Sequence, residues 1–266
     1  MTHHEQGCEF CFDFARVYWN SRLEHEHRRL VQKLHPGQLV CDVMAGVGPF
    51  AVPAGKKKIF VLANDLNPHG WEAMEDAIER NKVTKFVNAF NMDGRNFIRW
   101  CAETLLNEKP LVVKYEPKQW RNMSRALDSG RHAMVKPPPE VWTRPQIPDH
   151  YIMNLPASAI DFLDGFRGLY TGKEELFAPH TSQHLPMIHV YCFCGRSEDP
   201  MDDYNDICNR IEERIGYRLK PGEDGTNAES ELEIYCVRVV SPNKQMFCIS
   251  FRLPKEVAFA DRPAGS

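Results

Sequence analysis

The chain has 266 residues and a formal net charge of −3, with 42% of residues apolar and 26% charged. That is enough apolar material for one large or two small domains, and the apolar runs are shorter than a membrane span requires. There is no global basic field, so a nucleic-acid surface would have to be local. Nine cysteines, scattered and odd in number, argue against a disulfide framework and for a reducing compartment. Cys192, Cys194, Cys236 and Cys248 sit inside strand-like apolar runs, where a thiol acts as a small hydrophobe.

Residues 1–19 alternate apolar and polar (Phe10, Phe12, Phe14, then Val17-Tyr18-Trp19), which predicts a strand over 8–19 with one covered face. No partner strand is in view, so the chain is expected to start inside a domain. Asn20 or Ser21 caps a predicted helix running to Leu34, closed by Pro36-Gly37. On it Arg22 and Glu26 stand four apart, on one face; spacing alone fits a solvated ion pair.

Residues 39–43 are a short apolar run that ends in Asp42 and Gly46-Val-Gly48-Pro49-Phe50-Ala51. Pro49 suits the first turn of a helix. Strand, glycine loop and helix form the first unit of a nucleotide-binding α/β sheet. A second run, 59–63, ends in Asn64-Asp65, and Asp65 follows Asp42 by 23 positions, where a ribose-binding carboxylate is expected. The loop alone also fits a dinucleotide. Asp42 decides against it, because a carboxylate at the loop's mouth repels a pyrophosphate and suits a cation. S-adenosylmethionine is cationic at sulfur and nitrogen and carries no phosphate, so a methyltransferase is expected rather than a dehydrogenase.

Asn67-Pro68 starts a helix with Trp71, Met74, Ala77 and Ile78 on one face, ending near Asn81. Residues 86–90 are a third strand, and Asp93 past its end could N-cap the next helix, hold an adenine amino group, or do both. Residues 114–148 are proline-rich, and Lys114, Lys118, Arg121, Arg125, Arg131, Lys136 and Arg144 outnumber the acids. This is an inserted loop; with Tyr115, Trp120 and Trp142 it reads equally as a nucleic-acid-facing segment or a solvated insert. Residues 150–154 are a fourth strand with Asn154-Leu155-Pro156 at its tip, and a helix is expected over 158–169. Residues 187–193 are a fifth strand and 201–215 a helix. A turn-rich loop spans 221–230. Strands 234–240 and 245–251, joined by Ser241-Pro-Asn-Lys244, make a hairpin. Alternating β and α segments give a Rossmann-like α/β fold, a class I methyltransferase sheet ending in an antiparallel hairpin; strand order does not follow from sequence. Cys8-x-x-Cys11 and His180-x-x-x-His184 with His189 read as ordinary thiols and histidines, and no metal is expected.

The motifs Val17-Tyr18-Trp19-Asn20-Ser21-Arg22-Leu23, Glu26-His27, Asp42-Val-Met-Ala-Gly-Val-Gly-Pro-Phe50, Asn64-Asp-Leu-Asn-Pro68, Asp93-Gly-Arg95 and Asn154-Leu-Pro156 occur in that order. Together, over about residues 5–254, they resemble the eukaryotic and archaeal tRNA (guanine-N1)-methyltransferases, which modify the guanine 3′ of the anticodon. The resemblance implies S-adenosylmethionine as cofactor and a tRNA anticodon loop as partner, no membrane, and a monomer. The location expected is the cytoplasm with mitochondrial and nuclear pools. It implies a cofactor set of Tyr18, His27, Asp42, Ala45, Gly46, Gly48, Asp65, Leu66, Asn67, Asp93, Gly94 and Asn154. It implies a catalytic set of Glu26 as general base with Arg22, Asn154 and Pro156, which turns Arg22 and Glu26 from a surface pair into an active-site pair. Guanine N1 carries a proton at neutral pH, and a nearby carboxylate can remove it from a flipped-out base.

Two departures stand out: His25 replaces a common threonine, and the family's N-terminal region, with an arginine used near guanine O6, has no counterpart here. Residues 1–35 are accordingly expected to be the remnant of a middle domain and its linking helix, 36–256 the catalytic domain and 257–266 a tail. The competing readings are the wybutosine-pathway aminocarboxypropyl transferase, which usually lacks the Arg22 equivalent, and a non-catalytic cofactor-binding remnant. An adenine or cytosine amino-group methyltransferase would want an aromatic residue after the fourth strand, and Asn154-Leu-Pro-Ala-Ser supplies none.

Overall fold

The computed structural model describes residues 1–115, 138–181 and 183–261. The chain opens with a hairpin, β1 (Thr2–Glu5) against β2 (Cys8–Cys11), antiparallel from Thr2↔Cys11 to Glu5↔Cys8. This corrects the single strand expected over 8–19. Gln6 and Gly7 both have positive φ (49° and 69°), the backbone of a tight two-residue turn, so the partner strand lies immediately upstream. The strand stops at Cys11 because the Asp13 side chain accepts the Ala15 N–H at 3.0 Å and bends the chain away.

Asn20 then caps a 3₁₀ turn (Ser21–Leu23), its side chain accepting the Arg22 N–H, and α1 (Glu24–Lys33) follows. After it come β3 (Leu39–Asp42), α2 (Ala51–Lys56), β4 (Phe60–Asn64), α3 (Pro68–Arg80), β5 (Val87–Phe90) and α4 (Gly94–Asn107). Pro49 precedes α2 by two residues rather than lying in its first turn. Every residue of β3 and β4 is buried, as a parallel strand covered on both faces requires.

At the two ends of the expected insert, β6 (Val112–Tyr115) pairs antiparallel with β7 (Glu140–Thr143). Trp142 is not a free aromatic. Its ring packs over Gly37, where an added Cβ would meet it at 3.2 Å, and Lys58 stands over it. Lys118, Trp120, Arg121, Arg125, Arg131 and Lys136 lie outside the described residues, so the nucleic-acid reading of this segment falls outside the described structure.

β8 (His150–Met153) is followed by a 3₁₀ segment, Ala159–Phe166, where an α-helix to residue 169 was expected. Gly165 weakens helix there and allows close approach to α4: a Cβ at Gly165 would lie 3.4 Å from Ile98. Then come β9 (Met187–Cys194), α5 (Pro200–Ile215), β10 (Thr226–Asn227), β11 (Leu232–Ser241), β12 (Lys244–Arg252) and α6 (Lys255–Ala258). β10, within the loop expected over 221–230, pairs with the start of β11. Helix α6 is docked, its Val257 and Ala258 carbonyls accepting from Gly168 and Tyr170, so the first residues of the expected tail are part of the fold.

The sheet order is β10-β11-β12-β9-β8-β3-β4-β5, with β5, β4, β3, β8 and β9 parallel and β12 antiparallel to β9. The Rossmann-like sheet with an antiparallel C-terminal hairpin is therefore the observed architecture. The chain reverses direction across the sheet at β3, and the crevice beyond the carboxyl ends of β3, β4 and β8 is where such sheets bind ligands.

Candidate functional site

A cleft of about 570 Å³ lies at those strand ends. A second, of about 630 Å³, lies past the opposite end of β9 between residues 217–220, 227–231 and 252–256, and holds none of the predicted site residues.

The first cleft is built by loops that the sheet aligns. The Ala45 N–H bonds to the Asn64 carbonyl at 2.7 Å, and the Gly46 N–H donates to the Asp65 carboxylate at 2.7 Å. Gly46 and Gly48 hold φ of 58° and 87°, which L side chains resist, and a Cβ at Gly48 would press on Val52 at 3.2 Å. The buried Asn64 amide ties three segments: it donates to the Val43 and Met92 carbonyls and accepts the Met92 N–H. Sequence reasoning missed Asn64, although a polar residue closing an apolar run was the available signal.

Tyr18, His27, Ala45, Gly46, Asp65, Leu66, Asn67, Gly94, Asn154 and Pro156, all predicted, line this cleft together with Trp19, Asn20, Leu23, Phe162 and Phe193, which were not. Tyr18, Leu66 and Leu155 stand exposed on its rim. Asn67 caps α3 by accepting the His69 N–H at 3.1 Å. Asp93 caps α4, accepting from Arg95 and Asn96 at 3.0 and 3.2 Å. Gly94 admits Phe162, whose ring would lie 3.1 Å from an added Cβ, and Arg95 fixes that ring by standing 4.6 Å from its centroid while bonding to Asp164.

Asp42 is not at the loop's mouth as expected. It is the last residue of a strand with both faces covered and lies beneath the loop, 1% exposed, with neither carboxylate oxygen partnered among the described residues. Burial, with the nearby Asp65 carboxylate, pushes its pKa well above the usual carboxylate range. Burial also raises Asp65, against which the Asn67 and Gly46 N–H groups pull.

Glu26 is 1% exposed and does not line the cleft, although Leu23 and His27 of the same helical stretch do. Its partner is Arg29 rather than the expected Arg22: Arg29 Nε and Nη2 reach its two oxygens at 2.7 and 2.8 Å, and the Tyr191 hydroxyl donates at 2.7 Å. Three and four residues are both one helical turn, and Tyr235 decides between them by holding the Arg29 guanidinium 4.0 Å from its ring centroid. Arg22 is exposed.

His189 is buried in β9, bonded to Ser250 and His150, so it does not join His180 and His184. Among the described residues no lysine or arginine lines the cleft, whereas one carboxylate does and a second lies below. That donor set rejects phosphate and fits a nucleoside bearing positive charge, and the buried Asp42 carboxyl beneath it has no partner among the described residues.

Comparison with known proteins agrees. Residues 1–118 match the family model described as the TRM5/TYW2 methyltransferase domain. The tRNA (guanine(37)-N(1))-methyltransferase of Aspergillus fumigatus is 63% identical over 265 residues, 97% of this chain and 54% of that protein. The enzyme of the same name from Schizosaccharomyces pombe is 46% identical over 269 residues, 100% of this chain and 56% of that protein. Among solved structures, Trm5b of Pyrococcus abyssi superposes with a TM-score of 0.57 at 23% identity, over 94% of this chain and 55% of that one. TYW2 of M. jannaschii, solved in complex with AdoMet, gives 0.56 at 18%, over 95% and 86%. At these identities the structural likenesses show the fold. The chain spans about half the length of the curated relatives it matches. The chain thus carries, over residues 1–118, a match to the TRM5/TYW2 methyltransferase domain, and along nearly all of its length it is similar to proteins named tRNA (guanine(37)-N(1))-methyltransferase.

Proposed function

We propose that the chain is the catalytic part of a tRNA (guanine-37-N1)-methyltransferase that takes its methyl group from S-adenosylmethionine. The observation that carries this is the 63% identity to a protein of that name across 97% of the chain. The cleft supports it: Asp65 can accept from ribose hydroxyls, Ala45, Gly46 and Val47 of the loop can face the methionine part, and Gly94 and Phe162 can bound the adenine, while Gly48 holds the loop's turn without lining the cleft. When bound there, the cofactor supplies an electrophilic methyl on a sulfonium whose charge is lost on transfer.

The residues of this chain do the rest. Asn154 Oδ1 is buried and unpartnered among the described residues, an acceptor suited to the N–H edge of guanine, and Pro156 stiffens the turn that presents it. Glu26 is the base: its carboxylate takes the N1 proton after exchanging one of its Arg29 or Tyr191 contacts for the guanine. Arg22, exposed in the 3₁₀ turn that leads into the helix of Glu26, is free to meet the developing charge on O6 or a phosphate. The anticodon loop is the partner. No described helix is long and apolar enough to cross a membrane, and the nine cysteines are unpaired. The location we propose, the cytoplasm with mitochondrial and nuclear pools, is the one the family resemblance implies.

Single-turnover reaction with an unmodified tRNA transcript bearing guanine 3′ of the anticodon tests this by product analysis. Methyl at N1 is the expected product. Transfer of an aminocarboxypropyl arm would assign the chain to the other reaction known for this fold, and cofactor binding without any product would make it a binding remnant.

A further inference from the structure

The residue that orders His27 comes from outside the sheet. Glu5, on β1, is 2% exposed, and its Oε1 lies 2.7 Å from Nδ1 of His27. The imidazole is itself buried, edge-on to Phe50 at 4.8 Å, yet lines the cleft. A carboxylate can only accept, so the proton in this bond resides on Nδ1, and Nε2 is the nitrogen left for the cleft.

Stability alone does not account for this pair. Glu5 Oε2 is buried without a partner among the described residues, and an apolar side chain beside the buried Cys8 and Phe10 would avoid that cost. The hairpin that carries Glu5 is also anchored: Asn81, which closes α3, bonds to both the N–H and the carbonyl of Glu9, at 3.0 and 2.7 Å, and the Lys56 amine reaches the Gly7 carbonyl. Carboxylates that orient a functional imidazole have this arrangement.

The position of His27 says what it meets. Asp65 and Gly94 lie at the β4 and β5 side of the cleft. His27 packs against Phe50, the residue that closes the glycine loop, on the helix whose Glu26 bonds to Tyr191 of β9. With the nucleoside against Asp65 and Gly94, the amino-acid tail of the methyl donor lies along the glycine loop, beside His27.

We infer that Glu5 is a positioning residue, which holds His27 in its Nδ1–H tautomer and presents Nε2 to the amino-acid tail of the methyl donor. This rests on the cofactor reading above. The test uses two ligands on the whole chain by calorimetry: S-adenosylhomocysteine, which has the tail, and 5′-methylthioadenosine, which lacks it. Glu5→Ala and His27→Ala are each expected to weaken S-adenosylhomocysteine about tenfold and to leave methylthioadenosine within about twofold. The double variant should be no weaker than His27→Ala alone, because both substitutions remove one coupled contact. Glu5→Gln, isosteric and kept for the case that Glu5→Ala melts without cooperativity, should show the same ligand-selective loss, since its amide can donate to Nδ1 and release the tautomer. Unchanged S-adenosylhomocysteine affinity in the Glu5 variants, or equal loss for both ligands, overturns the assignment. Failure of the unsubstituted chain to bind either ligand would remove the cofactor reading along with it.

Discussion

The guanidinium of Arg29 meets the carboxylate of Glu26 through two nitrogens, at 2.7 and 2.8 Å, and Glu26 is 1% exposed. A buried acid held this way depends on its partner. Arg29→Ala leaves the charge uncompensated and should cost about 3–5 kcal/mol of stability, read from denaturant midpoints. Glu26→Gln, with hydrogen-bonding atoms in the same places, should cost about 1–3 kcal/mol. Equal small losses for both would mean that the pair is looser than the geometry states.

Gly48 and Gly7 both have positive φ, at 87° and 69°, but differ in surroundings. A Cβ at Gly7 meets nothing within 4 Å, while one at Gly48 meets Val52 at 3.2 Å and Met74 at 3.3 Å. Gly7→Ala should therefore cost only the backbone term of about 1–2 kcal/mol. Gly48→Ala should cost more and also weaken cofactor binding, because relief of the contact moves the loop. Thermal melts with and without S-adenosylhomocysteine separate the two effects.

Asp42 carries a pH signature. Its folded pKa is raised, so between the ordinary aspartate value of about 4 and that raised value the folded chain holds a proton the unfolded chain has lost. Stability from this group is present at low pH and declines as pH rises through that window. Asp42→Asn should raise the melting temperature at pH 7–8 and change it little near pH 4. A variant less stable than the parent at neutral pH would show that Asp42 is paired and ionised.

Histidines act at the other end. Burial, followed by the charges of Arg252 and His35, lowers His150 to about 4, and its buried neighbour His189 is also held well below its usual value, first by burial and then by His150. The unfolded chain takes up these protons first, so stability falls as pH drops from about 6.5 towards 4. His189→Gln should flatten this acid limb in melts across that range; an unaltered slope would place the acid sensitivity elsewhere.

The parallel strands were legible because burial on both faces forces continuous apolar runs, as in β3 and β4. The N-terminal hairpin was not: the alternation of Phe10, Phe12 and Phe14 runs on past Cys11, and Gln6-Gly7 leaves only four residues for the partner strand. Within the site, the glycine loop, Asp65 and Asn154 could be placed from their positions after strands. Glu26 could be named but not its environment. Spacing allows Arg22 or Arg29 as neighbour, and the choice rests on Tyr191, 165 positions away, and on Tyr235. Glu5 was invisible for the same reason, since its bond to His27 spans 22 positions and no periodic pattern.

The most direct measurement of the central claim is the single-turnover rate of N1 methylation of a guanine-37 tRNA transcript by the chain and by its Glu26→Gln variant, with cofactor affinity measured on both. The account predicts a rate loss of about 10²-fold or more with affinity unchanged within about twofold. A variant that methylates N1 at the parent rate would show that Glu26 is not the base.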